Sequence, residues 1–143
     1  MAKKYNIFPK IVANSTTWFN WLEELAKIIS PSSWHELGAS GEPTLKNSWT
    51  ITTNYHFGFR NLYSINSIHI HGRLTPGTET NGTLIFTLPI GFRPLNALSY
   101  LVVTDVTGAA GARFNIATDG QVTIQGADTG GTFYDVNIIF PVD

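Results

Sequence analysis

Residues Thr83 to Pro94, TLIFTLPIGFRP, constrain this chain more than any other stretch. Leu84, Phe86 and Leu88 alternate with Thr83, Ile85 and Thr87, the period of a half-buried strand. Asn81-Gly82 precedes them, the preferred pair for a two-residue hairpin turn because both positions take positive φ. Pro89 has no N–H to give a ladder, so the strand ends there or lies at an edge. Gly91 and Pro94 then turn the chain before the next apolar run. The segment reads as one strand followed by a crossing to another part of a β fold.

The rest of the chain after Trp49 has the same character. Trp49 to Phe59 is rich in Thr, Ile, Tyr and Phe, residues that favour strands. Further on, Ile68, Ile70, Gly72 and Leu74 face one way and His69, His71 and Arg73 the other. Ala97 to Thr107 puts Leu98, Tyr100, Val102 and Val106 on one face. Arg113 to Ala117 and Gln121 to Gln125 form a hairpin across Asp119-Gly120. In the last run Tyr134, Val136, Ile138 and Phe140 alternate against Asp135 and Asn137. Roughly seven or eight short strands with regular turn signals predict a mainly β fold: an antiparallel β-sandwich, jelly roll or barrel. Leu101 and Val103 oppose Tyr100 and Val102, so this strand is apolar on both sides and calls for a covering layer, most simply another subunit.

The first 48 residues differ. A tail over 1–13 leads into a helix predicted from Asn14 or Ser15 to the break at Pro31. Trp18, Leu22, Leu25 and Ile29 recur at helical spacing, with Trp21 and Ile28 beside them. A short helix is marginal alone in water, so something must cover this stripe. Its own domain is the plainer cover; copies of itself, or a socket on a larger assembly, are the favoured ones. Pro31, Ser32, Ser33, Gly38, Ser40, Gly41 and Pro43 then predict a neck over 31–48, pinned by Trp34 and Leu37. The expected division is therefore 1–30 for attachment, 31–48 as neck and 49–143 as a β head.

Composition excludes several functions. Charged residues are 13% of the 143, about half the usual share. The net charge of −1 disfavours nucleic acid and anionic membranes as partners. No apolar run is long enough to cross a bilayer, so membrane insertion is not expected. Cysteine is absent, which removes disulfides and thiolate metal sites.

The candidate chemistry is sparse. His69-x-His71 sets two imidazoles on one strand face, but a metal site needs further ligands, and Arg73 shares that face. No metal or cofactor is expected. Among the carboxylates after residue 45, no facing pair of the glycosidase kind stands out, so no enzyme activity is expected. Tyr55, His56, Arg60, Asn61 and Tyr63 crowd aromatic rings and polar donors around Gly58, a composition suited to a saccharide. The plainer reading makes Phe57 and Phe59 core and Arg60 a solvated end.

LP-x-GFRP, together with the later unit of Arg113, Phe114, Ile116, Gly120, Val122 and Ile124, resembles the C-terminal head domain of bacteriophage tail-fibre and baseplate receptor-binding proteins. The resemblance runs from about Trp49 to Phe140. It implies a homotrimeric virion protein that adheres to a host cell-wall polysaccharide without catalysis. On this reading Trp18, Trp21, Leu22, Leu25 and Ile29 serve trimerisation and attachment to a tail or baseplate adaptor. A structural fibre or decoration protein, and a glycan-cleaving tail enzyme, are the alternatives.

Overall fold

The computed structural model describes residues 15–105, 111–127 and 131–142. The expected tail over 1–13, Val106 and Asp128 lie outside these residues, as do the side chains of Trp18, Ile28 and Ile29. Among these described residues one helix, α1 (Ser15–Ile29), precedes nine strands: β1 (His35–Glu36), β2 (Thr50–Ile51), β3 (Phe57–Leu62), β4 (Ser67–Thr75), β5 (Leu84–Thr87), β6 (Leu98–Thr104), β7 (Ala112–Ile116), β8 (Gln121–Gln125) and β9 (Tyr134–Pro141).

All strand pairings are antiparallel, and they form one continuous path, β1-β3-β4-β9-β6-β7-β8-β5, with β2 on the edge of β4. Two separate sheets were the sandwich expectation. Instead one sheet curls into a half-barrel, because β6 serves both halves. Its Leu98–Val102 part pairs with β7, and Val103 and Thr104 pair with β9. Curling brings the inner faces together around a single core. Phe57 of β3 meets Phe86 of β5 edge-on at 5.6 Å, and Trp49 meets Phe114 of β7 at 6.2 Å. Each fully buried aromatic or aliphatic side chain there contributes about 1.5–3 kcal/mol.

Two local expectations need correction. Asn81-Gly82 does not join hairpin partners, since β5 pairs with β8 rather than β4. Of the two residues only Gly82 has positive φ. The turn is held against the end of β8: Gly82 N–H donates to Ile124 O, and Asn81 Oδ1 accepts from Gly126 N–H. Strict alternation in β5 also fails, because the register slips between Leu84 and Phe86. The extra residue of this bulge lets Ile85 and Phe86 both face the core.

The LPIGFRP corner after β5 is built as a brace. Leu88 N–H donates to Gly120 O, Arg93 Nε donates back to Leu88 O, and Phe92 packs edge-on against Phe59 at 4.8 Å. This ties the β7–β8 turn, where Gly120 takes φ +89°, to the opposite side of the core.

Residues 32–48 lie against the sheet. Ser32 exchanges two hydrogen bonds with the Asn61 backbone, and β1 pairs with the free edge of β3. At the other end of the path, Lys46 N–H and Asn47 Nδ2 donate to Ile85 O and Leu84 O of β5. Leu37 is buried and Leu45 partly so. This segment spans the open side of the half-barrel. By contrast the main contact of α1 among the described elements is with the 3-10 turn Tyr63–Ile65. Phe19 is 61% exposed on it and Leu22 is 38%.

Candidate functional site

The outer face of the curled sheet gathers its unusual chemistry at one place, and the cause is a break between β2 and β3. Both strands lie on the same edge of β4: Ile51 opposes Leu74, and Phe57 opposes Gly72. Residues 52–56 must therefore leave the ladder and return within the span of one β4 residue, Arg73. Thr52 N–H donates to Arg73 O, and Arg73 N–H donates to His56 O. Asn54 takes φ +67° at the tip, a conformation asparagine tolerates better than most residues. The excursion lifts Tyr55 and His56 above the outer face. It also replaces the single strand expected over Trp49 to Phe59.

Beneath it, β4 presents His69, His71 and Arg73, and β9 presents Asp135 and Asn137. Register sets Arg73 opposite Asp135 and His71 opposite Asn137. Arg73 donates to both carboxylate oxygens of Asp135, from Nε at 2.6 Å and Nη2 at 2.7 Å, and from Nη1 to the Tyr55 hydroxyl at 3.0 Å. Its guanidinium also lies 4.2 Å from the Tyr55 ring centre and 3.8 Å from that of Phe133. Such a doubly bonded fork fixes both partners in one plane. The Asp135 bond holds the Arg73 guanidinium more firmly protonated than usual.

Three imidazoles and an indole form the adjoining cluster. The Trp34 ring stands 5.3 Å from His56, 5.2 Å from His69 and 6.0 Å from His71, and the Arg60 guanidinium lies 4.4 Å from the indole. Nδ1 of His71 and Nε2 of His56 are 3.0 Å apart, so one nitrogen brings a proton and the other a lone pair. His69 Nε2 lies 2.9 Å from Asn137 Oδ1. Among the described residues no group of three or more His, Cys, Asp or Glu side chains is arranged to hold a metal ion.

Burial, and after it the charges of His56, His69 and Arg60, lower the His71 pKa below its ordinary 6.5, while Asp135 pulls the other way. In the window just below 6.5 the unfolded chain therefore binds more protons than the folded one. The stability tied to neutral His71 is complete above that pH and is lost as pH falls through the folded value. Melting temperature should drop on acidification from pH 7.5 to 5, and His71→Gln should flatten the slope. A variant slope equal to the parent's would remove His71 from the account.

Between the excursion and the outer faces of β9 and β6 lies a cleft of about 420 Å³. Tyr55, His56, His71, Arg73, Asp135 and Asn137 give it polar walls. Leu101 and Val103 of β6, 67% and 63% exposed, give it an apolar one. Of the residues that the sequence marked for ligand, Tyr55 and His56 line this cleft. Arg60 is stacked on Trp34, with its Nε buried and lacking a hydrogen-bond partner. Asn61 uses its backbone to hold Ser32, and Tyr63, 53% exposed, sits in the turn beside α1. Arg73, Asp135, Asn137, Leu101 and Val103 were not marked for ligand. Only the β4–β9 and β6–β9 registers bring them together.

The carboxylates elsewhere on the head have local tasks. Asp105 accepts from the Thr132 hydroxyl and from the Thr132 and Phe133 N–H groups, which holds its pKa below the usual range. Asp119 accepts from the Gln121 backbone and side chain within its turn, and Glu79 accepts from the Tyr134 hydroxyl.

No family model matches the sequence, and no curated protein matches it either. The fold has a solved counterpart. The crystal structure of the receptor binding protein (gp15) of Listeria phage PSA is similar to it with a TM-score of 0.68, over 87% of this chain and 73% of that one. Identity between the two is 17%, so the likeness is one of fold.

Proposed function

We propose that this chain is a receptor-binding protein of a bacteriophage particle, whose β head adheres to a saccharide of the host cell surface without cleaving it. The observation that carries the reading is the fold shared along most of both chains with a phage receptor-binding protein. Two features support it. The outer-face cleft combines aromatic, planar polar and apolar walls. The four head carboxylates described above are engaged in local bonds, which is unlike a facing acid–base pair.

In this reading the protein acts as a homotrimer on the tail or baseplate, outside the host in which it was made. Residues 1–30 trimerise it and join it to an adaptor protein, with Trp18, Trp21, Leu22, Leu25 and Ile29 as the apolar seam. The exposed Phe19 and Leu22 of α1 are what such a seam would cover. Weak single sites then suffice, because linked sites raise overall affinity by roughly a hundredfold or more.

The test uses the full-length chain, fluorescently labelled, on a panel of bacterial cells, with its mass followed by light scattering. The parent should coat cells of some strains and scatter as three chains. The double variant Phe19→Ser, Leu22→Ser should scatter as one chain, keep its head folded, and lose roughly a hundredfold in cell retention. A parent that scatters as a monomer would remove the trimer, and one that coats no strain would remove the receptor reading.

A further inference from the structure

We infer that the cleft between the 52–56 excursion and the outer faces of β6 and β9 is the saccharide site, and that its ligand is an uncharged, hydroxyl-rich sugar unit rather than an acidic or phosphorylated one. This rests on the receptor-binding reading above and adds to it a location and a ligand class.

Size and shape come first. A cleft of about 420 Å³ falls within the range of roughly 300–1,000 Å³ typical of small-ligand sites. The walls match the two-sided character of a pyranose. Leu101 and Val103 remain well exposed on an otherwise polar face, and they offer a surface for the C–H side of a ring. Opposite them stand Tyr55 and Asn137, which both donate and accept, and the Asp135 carboxylate, which accepts. A sugar hydroxyl is one donor and two acceptors, so neighbouring hydroxyls can bridge a carboxylate and an amide at once.

Charge selects between neutral and anionic ligands. Arg73 is the cation of the cleft, and Asp135 neutralises it. Three of its N–H directions are already committed, two to Asp135 and one to the Tyr55 hydroxyl. An incoming carboxylate or phosphate finds the Nε–Nη2 fork already taken and meets the Asp135 charge. His71 adds little positive charge at neutral pH, because burial disfavours its protonated form. Arg60 is turned to Trp34 and does not line the cleft. A neutral ligand meets no opposing charge here, whereas an acidic one faces Asp135 with Arg73 already paired.

The fork also makes the site ready before binding. It holds the Tyr55 hydroxyl and the Asp135 carboxylate in fixed places relative to β6, so little ordering is left to occur on contact.

The experiment is a glycan array probed with the labelled full-length protein at pH 7.5. It carries hexose- and N-acetylhexosamine-terminated glycans beside matched glucuronate-, sialate- and phosphate-bearing ones. Tyr55→Ala and Asn137→Ala are run in parallel; both positions are exposed, and melting temperature confirms their folds. One or more neutral glycans should be retained, acidic counterparts should bind at least tenfold more weakly, and each variant should lose tenfold or more. Preference for acidic glycans, or variants that bind as the parent does, overturns the proposal. A parent that coats cells yet ignores every neutral glycan also overturns it while leaving the receptor reading intact. A parent that coats no cells removes the receptor reading instead. Leu101→Ser gives a separate control: if it lowers the scattering mass and leaves glycan retention untouched, that wall belongs to a subunit contact, and the assignment fails.

Discussion

Gly72→Ala is expected to unfold the head or cost more than about 4 kcal/mol, a drop of roughly 15 °C in melting temperature. The residue sits at φ +138°, where a side chain is already strained. A Cβ there would lie 2.1 Å from His56 O and 2.6 Å from Phe57 Cα, both backbone atoms that no rotamer change can move. Relief requires β3 to separate from β4 at the point where the 52–56 excursion rejoins the ladder. The loss should therefore reach the cleft as well as the core, with glycan retention and melting temperature falling together. Melting within about 3 °C of the parent would mean that the backbone crossing is looser than described.

Trp49→Ala should be the next most costly change, at about 3–5 kcal/mol. The indole is buried just before β2 and touches both halves of the curled sheet, Tyr134 of β9 at 5.6 Å and Phe114 of β7 at 6.2 Å. Its Nε1 donates to Thr78 O at 3.1 Å, so truncation leaves a cavity and strips a carbonyl of its partner. Trp49→Phe would keep part of the packing and lose the hydrogen bond, for about 1–2 kcal/mol. Urea unfolding at one fixed protein concentration reads both. If Trp49→Ala costs less than about 1 kcal/mol, the two halves do not depend on this contact.

Much of the architecture was legible because it is local. The alternation of Ile68, Ile70 and Leu74 against His69, His71 and Arg73 follows from the strand period alone, and β4 has those two faces. Asp119-Gly120 announces the β7–β8 hairpin, and Pro31 follows the end of α1. What escaped was decided by partners far along the chain. Asn81-Gly82 is a sound turn signal, but nothing local says that the strand after it will pair with β8. The bulge at Ile85 arises only from that pairing. The segment 31–48 is rich in Pro, Gly and Ser, so it reads as a linker. Its attachments are mainly backbone hydrogen bonds, which composition does not encode.

The cleft was half visible for the same reason. Tyr55 and His56 stand out in a short crowded stretch. Arg73 and Asp135 are 62 residues apart, and only the β4–β9 register places them face to face. His69 and His71 were visible as a pair, but His56 and Trp34 complete their cluster from a loop and from the segment before β1.

The way residues 35–47 straddle the curled sheet bears on how such molecules coexist at high copy number. Stacking by strand addition requires an unsatisfied row of amide and carbonyl groups, and here one terminus of the path is a two-residue stub while the other has its carbonyls already taken. Strand addition at these two termini is thereby restricted. Contacts that copies make at those two ends fall to side chains, where sequence can specify who meets whom.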